Sequence, residues 1–173
     1  MTAGTVAFVH PRLADDTANC PIAHTLDIVG EKWTLLILRE ARYGVTRFDD
    51  FRRVLGCASN LLSTRLSLLV DHGILATEMY QDPGQRPRPQ YVLTEKGLAL
   101  APVLAALAQW GEQFHPDPKG PVALLSHKDC GATVQLALKC AEGHPITDAR
   151  EVDLVRGPGA RRKSRRQLAQ GAQ

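Results

Sequence analysis

A chain of 173 residues, 44% apolar and 23% charged, can bury one real core and leaves room for a small appendage. No window approaches 18 consecutive apolar residues, and the first 20 residues lack a basic stretch followed by an apolar run; these features argue against a spanning helix and an export signal, so a soluble, cytoplasmic protein with no membrane partner is expected. The formal charge of +3 does not point to a polyanion: six of the 21 basic residues are Arg156, Arg161, Arg162, Lys163, Arg165 and Arg166, which leaves 15 against 18 acidic ones in residues 1–155.

Residues 1–19 show no sustained periodicity and contain His10-Pro11, so they read as an arm. A first helix is predicted in "CPIAHTLDIVG", with Pro21 at its first position and Gly30 just past its end. A second, "EKWTLLILREARYG", carries Trp33, Leu36 and Ile37 on a stripe widened by Leu35 and Leu38. Arg39 and Arg42 fall in its last turn, where cations favour the helix dipole. The short third helix, "TRFDDFRRVLG", has Thr46 as predicted N-cap, Asp49 as an acidic capping-box partner, and Phe48, Phe51 and Leu55 at helical spacing. After only "GCA" comes a fourth helix, "SNLLSTRLSLLVDHG", capped by Ser59 and ended by Gly73 in the left-handed conformation. "ILATEMY" and "YVLT" then read as two strands around the Pro/Gly-rich tip "QDPGQRPRPQ". A last helix is predicted from a Thr94 cap through "TEKGLALAPVLAALAQWGEQF", kinked at Pro102, and "HPDPKGP" ends it. Residues 119–155 form a small extension, and 156–173 a basic tail too polar and Gly-rich to bury itself, hence predicted disordered.

Three helices, a tight turn into a fourth, then a hairpin with a long tip describe a mainly α fold with a small β-hairpin wing: a winged helix-turn-helix over residues 20–118, followed by the extension. In such a unit the helix after the tight turn lies in the DNA major groove and the preceding one braces it. At about 100° per residue, Ser63, Thr64, Ser67 and Asp71 fall on the same side of the fourth helix as Asn60, and Leu62, Leu66 and Leu69 fall opposite. Arg65 lies on the flank of the apolar sector, where it braces the fold or meets a phosphate. The neutral face reads either as a solvated helix surface or as a groove-facing one, since short uncharged hydrogen-bonders approach base edges closely. The expected DNA-binding set is Ser59, Asn60, Ser63, Thr64 and Ser67, with Arg47 on the bracing helix and Arg86 and Arg88 in the wing as phosphate or minor-groove contacts.

The run "CPIAHTLDIVGEKWTLLILREARYGVTRFDDFRRVLG", then "LLSTRLSLLVDHGIL", then "PRPQYVLTEKGLALAPVLAALAQW" closely resembles the HxlR-type winged helix-turn-helix transcriptional regulators of bacteria. Cys20-Pro21, Gly30 with Lys32-Trp33, Arg47-Phe48, the "RL..L...G" of the fourth helix, "Y.LT..G" and Trp110 carry the resemblance, which spans residues 20 to 114. It implies a homodimer whose first and last helices pack across the two-fold, bound to double-stranded DNA at a palindromic operator. The last helix fits that implication, because Leu98, Leu100, Val103, Leu104, Leu107 and Trp110 give it more apolar surface than one face of a small domain needs. Its alternative is an ordinary intramolecular core helix. A winged-helix protein-interaction or zinc-containing adaptor that does not read DNA is the rival, supported by the near-neutral charge of residues 20–114.

Cys20 precedes Pro21 at a helix N-terminus, where the dipole favours a thiolate, and some members of the resembled family use this cysteine to sense oxidants or quinones. It is therefore a redox-sensing candidate, or else a small buried hydrophobe; an oxidant or small-molecule effector goes with the first reading. Cys20 and His24 are four apart, yet no orienting third residue or oxyanion loop accompanies them, so no catalysis is expected. In the extension, His127 with Cys130 and Cys140 with His144 are ligand types suited to zinc, or else parts of a small β-hairpin. The tail "RRKSRR" either adds nonspecific DNA attraction or is solvated.

Overall fold

The computed structural model describes residues 15–164. Helix α1 (Pro21–Val29) starts on a proline, whose missing N–H costs nothing there, with Cys20 as its N-cap. Helix α2 (Lys32–Arg42) buries Thr34, Ile37, Leu38 and Glu40 and carries Arg39 and Arg42 in its last turn. The Glu40 carboxylate does not sit unpaired in that interior, because Arg39 Nε donates to it at 2.6 Å. Helix α3 (Phe48–Leu55) turns Phe51 into the core. Gly56, at φ 64°, makes the sharp turn that a side chain would strain, and α4 (Ser59–Asp71) follows with Leu62, Leu66 and Leu69 wholly buried. At its C-terminus the Gly73 N–H donates to Val70 and the Ile74 N–H to Leu69, both at 2.8 Å. This is a Schellman closure, and it drops Ile74 and Leu75 into the core beside Ile37, Leu38 and Phe51.

Strands β2 (Leu75–Tyr80) and β3 (Arg88–Leu93) form the antiparallel wing, Leu75 opposite Leu93 and Tyr80 opposite Arg88. Helix α5 (Glu95–Leu98) is capped by Thr94, whose hydroxyl accepts from the Gly97 N–H at 3.1 Å. A Cβ on Gly97 would run into the Ile74 carbonyl oxygen, so glycine is what lets α5 lie against the wing base. Helix α6 (Ala101–Phe114) completes the winged helix-turn-helix. No helix of the described residues is long and apolar enough to cross a membrane.

Four local expectations change. The N-cap of α3 is Arg47 and not Thr46: the Thr46 carbonyl accepts the Tyr91 N–H at 2.8 Å and Arg47 bridges Gln90, so residues 46–47 are held as extended chain beside β3. The N-cap of α4 is Ala58, without a side-chain bond, and Ser59 is the first helical residue. The wing tip shortens to residues 81–87, because Arg88 and Pro89 join β3 opposite Tyr80 and Met79. The last helix breaks rather than kinks, since Pro102 lacks an N–H and its ring crowds the carbonyl four residues back; it stands in the first turn of a new helix.

Beyond α6, residues 115–164 hold only short elements: β4 (Leu138–Lys139), β5 (Pro145–Ile146), a 3-10 turn (Ala149–Glu151) and β6 (Arg161–Arg162). The Gln109 side chain ties this extension to α6, accepting the Leu136 N–H at 3.1 Å and donating to the Leu136 carbonyl at 3.4 Å. Asp148 caps the 3-10 turn, and the Arg150 guanidinium, then its N–H, hold that carboxyl below the usual carboxylate range. Strand β6 pairs with β1 (Asp15–Asp16), Arg156 meets Asp15 at 2.7 Å, and the Asn19 amide donates to Gly159 at 2.7 Å. Residues 156–164 thus lie against the arm, held by the Asp15–Arg156 pair and the backbone pairing of β1 with β6. The remainder of the arm and tail, residues 1–14 and 165–173, including Arg165 and Arg166, lies outside the described residues.

Candidate nucleic-acid interface

The two sides of α4 are chemically separate. Ser59, Asn60, Ser63, Thr64, Ser67 and Asp71 are all exposed, and Leu62, Leu66 and Leu69 are at 0% exposure on the opposite side. The Thr64 hydroxyl donates to the Asn60 carbonyl at 2.9 Å, so what it offers outward is an acceptor lone pair and a methyl group. Asn60 and Ser63 have no side-chain partner among the described residues and remain available to a ligand. Arg65 turns away from this face, three-quarters buried, toward Glu31 at the start of α2, with Nη2 to Oε2 at 3.5 Å.

The cations around this face are mostly engaged. Arg47 forms a two-pronged pair with Asp82 at the wing tip, at 3.1 and 3.0 Å, and stacks over the Tyr80 ring at 4.1 Å. It serves as a latch holding the tip against α3. Arg88 reaches Asp49 at 3.9 Å, which also meets Arg52 at 3.5 Å, and Arg53 meets Asp50 at 3.4 Å. Arg86 alone of the predicted arginines makes no ion pair among the described residues, and it stands exposed on the tip between Pro87 and the Gly84 turn. Asp82, Tyr80 and Gln90, which fix the wing, were not singled out from sequence; their partners lie 33 to 44 positions away, a separation that no local pattern reports.

Cys20 is half-buried and lines a cleft of about 270 Å³ with Asp15, Asn19, Gly157 and Arg161, so the returning chain end is its neighbour. Cys57 is buried in the core, and both thiols are free. In the extension each predicted pair is close, His127 Nδ1 to Cys130 Sγ at 3.4 Å and His144 Nδ1 to Cys140 Sγ at 3.5 Å. The two pairs do not join: among the described residues no three His, Cys, Asp or Glu side chains converge as a metal site. The two pairs sit in separate turns, each closed by a glycine of positive φ, Gly131 and Gly143.

The HxlR-like helix-turn-helix family model matches residues 28–119. An uncharacterized HTH-type transcriptional regulator of Mycobacterium tuberculosis is 41% identical over 143 residues, 82% of this chain and 89% of that one. Among solved structures, PA1607, proposed to be a transcription factor, superposes with a TM-score of 0.70 at 38% identity, covering 81% of this chain and 96% of its own. The redox regulator HypR in its oxidized form matches with a TM-score of 0.50 at 34% identity, over 54% of this chain and 96% of its own.

Proposed function

The chain belongs to the HxlR-like helix-turn-helix family, and on that footing we propose that it acts as a dimeric, sequence-specific transcriptional regulator that binds a palindromic DNA operator. The observation that carries the reading is the division of α4, an exposed hydrogen-bonding face of Ser, Asn and Thr whose one charge is Asp71 at the C-terminal end, backed by three wholly buried leucines and flanked by a wing. Asn60, Ser63 and Ser67 meet base edges in the major groove, Ser59 and Thr64 line the same approach, and Arg86 grips the backbone or minor groove. Arg47 and Arg88 act first on the wing, positioning it through Asp82 and Asp49.

The test is binding selection from random DNA with purified protein. A palindromic motif is expected, and Asn60→Ala and Ser63→Ala are expected to change which bases are preferred, each with a loss of about 1–3 kcal/mol at the base it reads. Arg65→Ala is expected to leave the preferred sequence unchanged and to lower stability or overall affinity. Indistinguishable behaviour of the two classes would sink the assignment of this face.

The latch has a separate signature. Asp82→Ala releases Arg47, removes one negative charge from the wing and is expected to steepen the log–log salt dependence of DNA binding by about 0.9. Its effect on stability stays within about 1 kcal/mol, because the pair is part-exposed. Anisotropy titrations at four salt concentrations read the slope, and an unchanged slope would show that Arg47 never reaches a phosphate.

Cys20 supplies the proposed response to oxidants. Its N-cap position and the cleft beside it support this role, as does the likeness to a protein described as a redox regulator. Repeating the selection after oxidation, with Cys20→Ser as control, is expected to show cysteine-dependent loss of the motif.

A further inference from the structure

A second concave surface lies on the side of α2 away from its buried residues Thr34, Ile37 and Leu38. Helices α2 and α6 and residues 123–125 of the extension enclose a cavity of about 430 Å³, within the range of small-molecule sites. Among its lining residues Leu35, Leu36, Leu104 and Ala105 are part-buried, and Leu124 is exposed. No acidic side chain lines it, but the exposed Arg39, Arg42 and Tyr43 do. Arg39 is committed to the buried carboxylate of Glu40, whereas Arg42 makes no ion pair among the described residues.

The cavity is not the outward apolar face of α6. At about 100° per residue, Leu107, Trp110 and Phe114 fall within about 40° of Val103, and Ala101, Leu104, Ala105 and Ala108 fall between about 100° and 200° from it. Leu107 is the one residue at the border of both. The small side chains of Ala101, Ala105 and Ala108 leave the space open, so α6 keeps one face for the cavity and another for a partner copy.

We propose that this cavity binds an amphipathic organic carboxylate of about a dozen heavy atoms, its apolar body among the leucines and alanines and its carboxylate on Arg42. A lone cation at the edge of an otherwise apolar, acid-free hollow selects for a single negative charge on a hydrophobic body. The ligand would wedge between α2, which packs on α4, and α6, and so place an effector where it can tilt one against the other. Only that last consequence rests on the DNA-binding reading.

The probe is 2-naphthoate, with 2-naphthamide as its neutral near-isostere, titrated by calorimetry into the full-length protein without DNA. One naphthoate per chain is expected, bound about tenfold tighter than the amide. Arg42→Gln is expected to erase that preference while leaving circular dichroism unchanged, as the side chain is exposed. Ala108→Phe is expected to block both probes with no change in oligomeric state. Equal binding of acid and amide, a preference that survives Arg42→Gln, or undiminished binding to Ala108→Phe would overturn the proposal. So would a change of oligomeric state in Ala108→Phe, which would assign the hollow to a second copy of the chain. Because DNA is absent, failure here leaves the DNA-binding reading standing, and a protein that binds naphthoate but no operator would fail that reading alone.

Discussion

The double substitution Val103→Asp, Trp110→Asp is expected to convert the proposed dimer to monomers and to weaken operator binding by about 10²–10⁴-fold, the advantage that two tethered reading helices have over one. The magnitude follows from what α6 leaves uncovered. None of its residues is buried, and Val103, Leu107, Trp110 and Phe114 form a continuous exposed apolar stripe with Trp110 and Phe114 ring to ring at 5.1 Å. Helix α1 adds Ile22 and Leu26, at 69% and 56% exposure. A soluble monomer rarely carries so contiguous an apolar surface, and the proposed two-fold interface would cover it. Val103 and Trp110 are exposed and do not pack against the core, so helical content is expected to persist. Light scattering after gel filtration reads the oligomer and anisotropy reads the operator. A variant that remains dimeric would remove the interface from this face.

Leu66→Ala is expected to destabilise the fold by about 2–5 kcal/mol, the range for truncating a fully buried leucine, with a fall in thermal midpoint on the order of 10 °C. Leu66 is wholly buried in the middle of the contact that α4 makes with the core, among Ile37, Leu38 and Phe51. Its neighbour Ser67 faces outward, and Ser67→Ala is expected to change stability by no more than about 0.5 kcal/mol while altering DNA preference. Denaturant melts of the two variants separate the supporting side of the helix from the reading side. Equal losses would mean that the outward face is also holding the fold together.

The core was legible in the sequence wherever its signal was a helical period. Leu62, Leu66 and Leu69 are the buried face of α4 and Phe51 that of α3, because apolar residues three and four apart cannot avoid sharing a side. Of the expected α2 stripe only Ile37 and Leu38 are buried; Trp33, Leu35 and Leu36 are part-exposed, and Thr34 and Glu40 take the other inner positions. Gly73 ends α4 in the left-handed conformation for the local reason that made it predictable. Capping was less legible. Thr46 and Ser59 have the right chemistry one residue from the right place, and what moved the boundary at Thr46 was strand β3, more than forty positions along the chain.

The candidate interface divides in the same way. That α4 has a neutral outward face was contained in the order of its residues. That Arg47 is latched to Asp82 and Tyr80, and Arg88 turned toward Asp49, was not, since a guanidinium finds its partner only once the wing has folded against α3. The His127–Cys130 and Cys140–His144 pairs likewise form by spacing alone, while their failure to meet is set by where the two turns lie in space.

By itself, then, the amino-acid sequence determined the order of the elements, the buried sides of α3 and α4 and hence the winged helix-turn-helix, because the helical period that reports them repeats within a turn or two of the chain. Tertiary structure alone decided the return of Arg156 to Asp15, the pairing of β1 with β6, and the hollow between α2, α6 and Leu124. Those features join segments that are remote in sequence, and a residue carries no local record of which distant charge or surface will be brought opposite it.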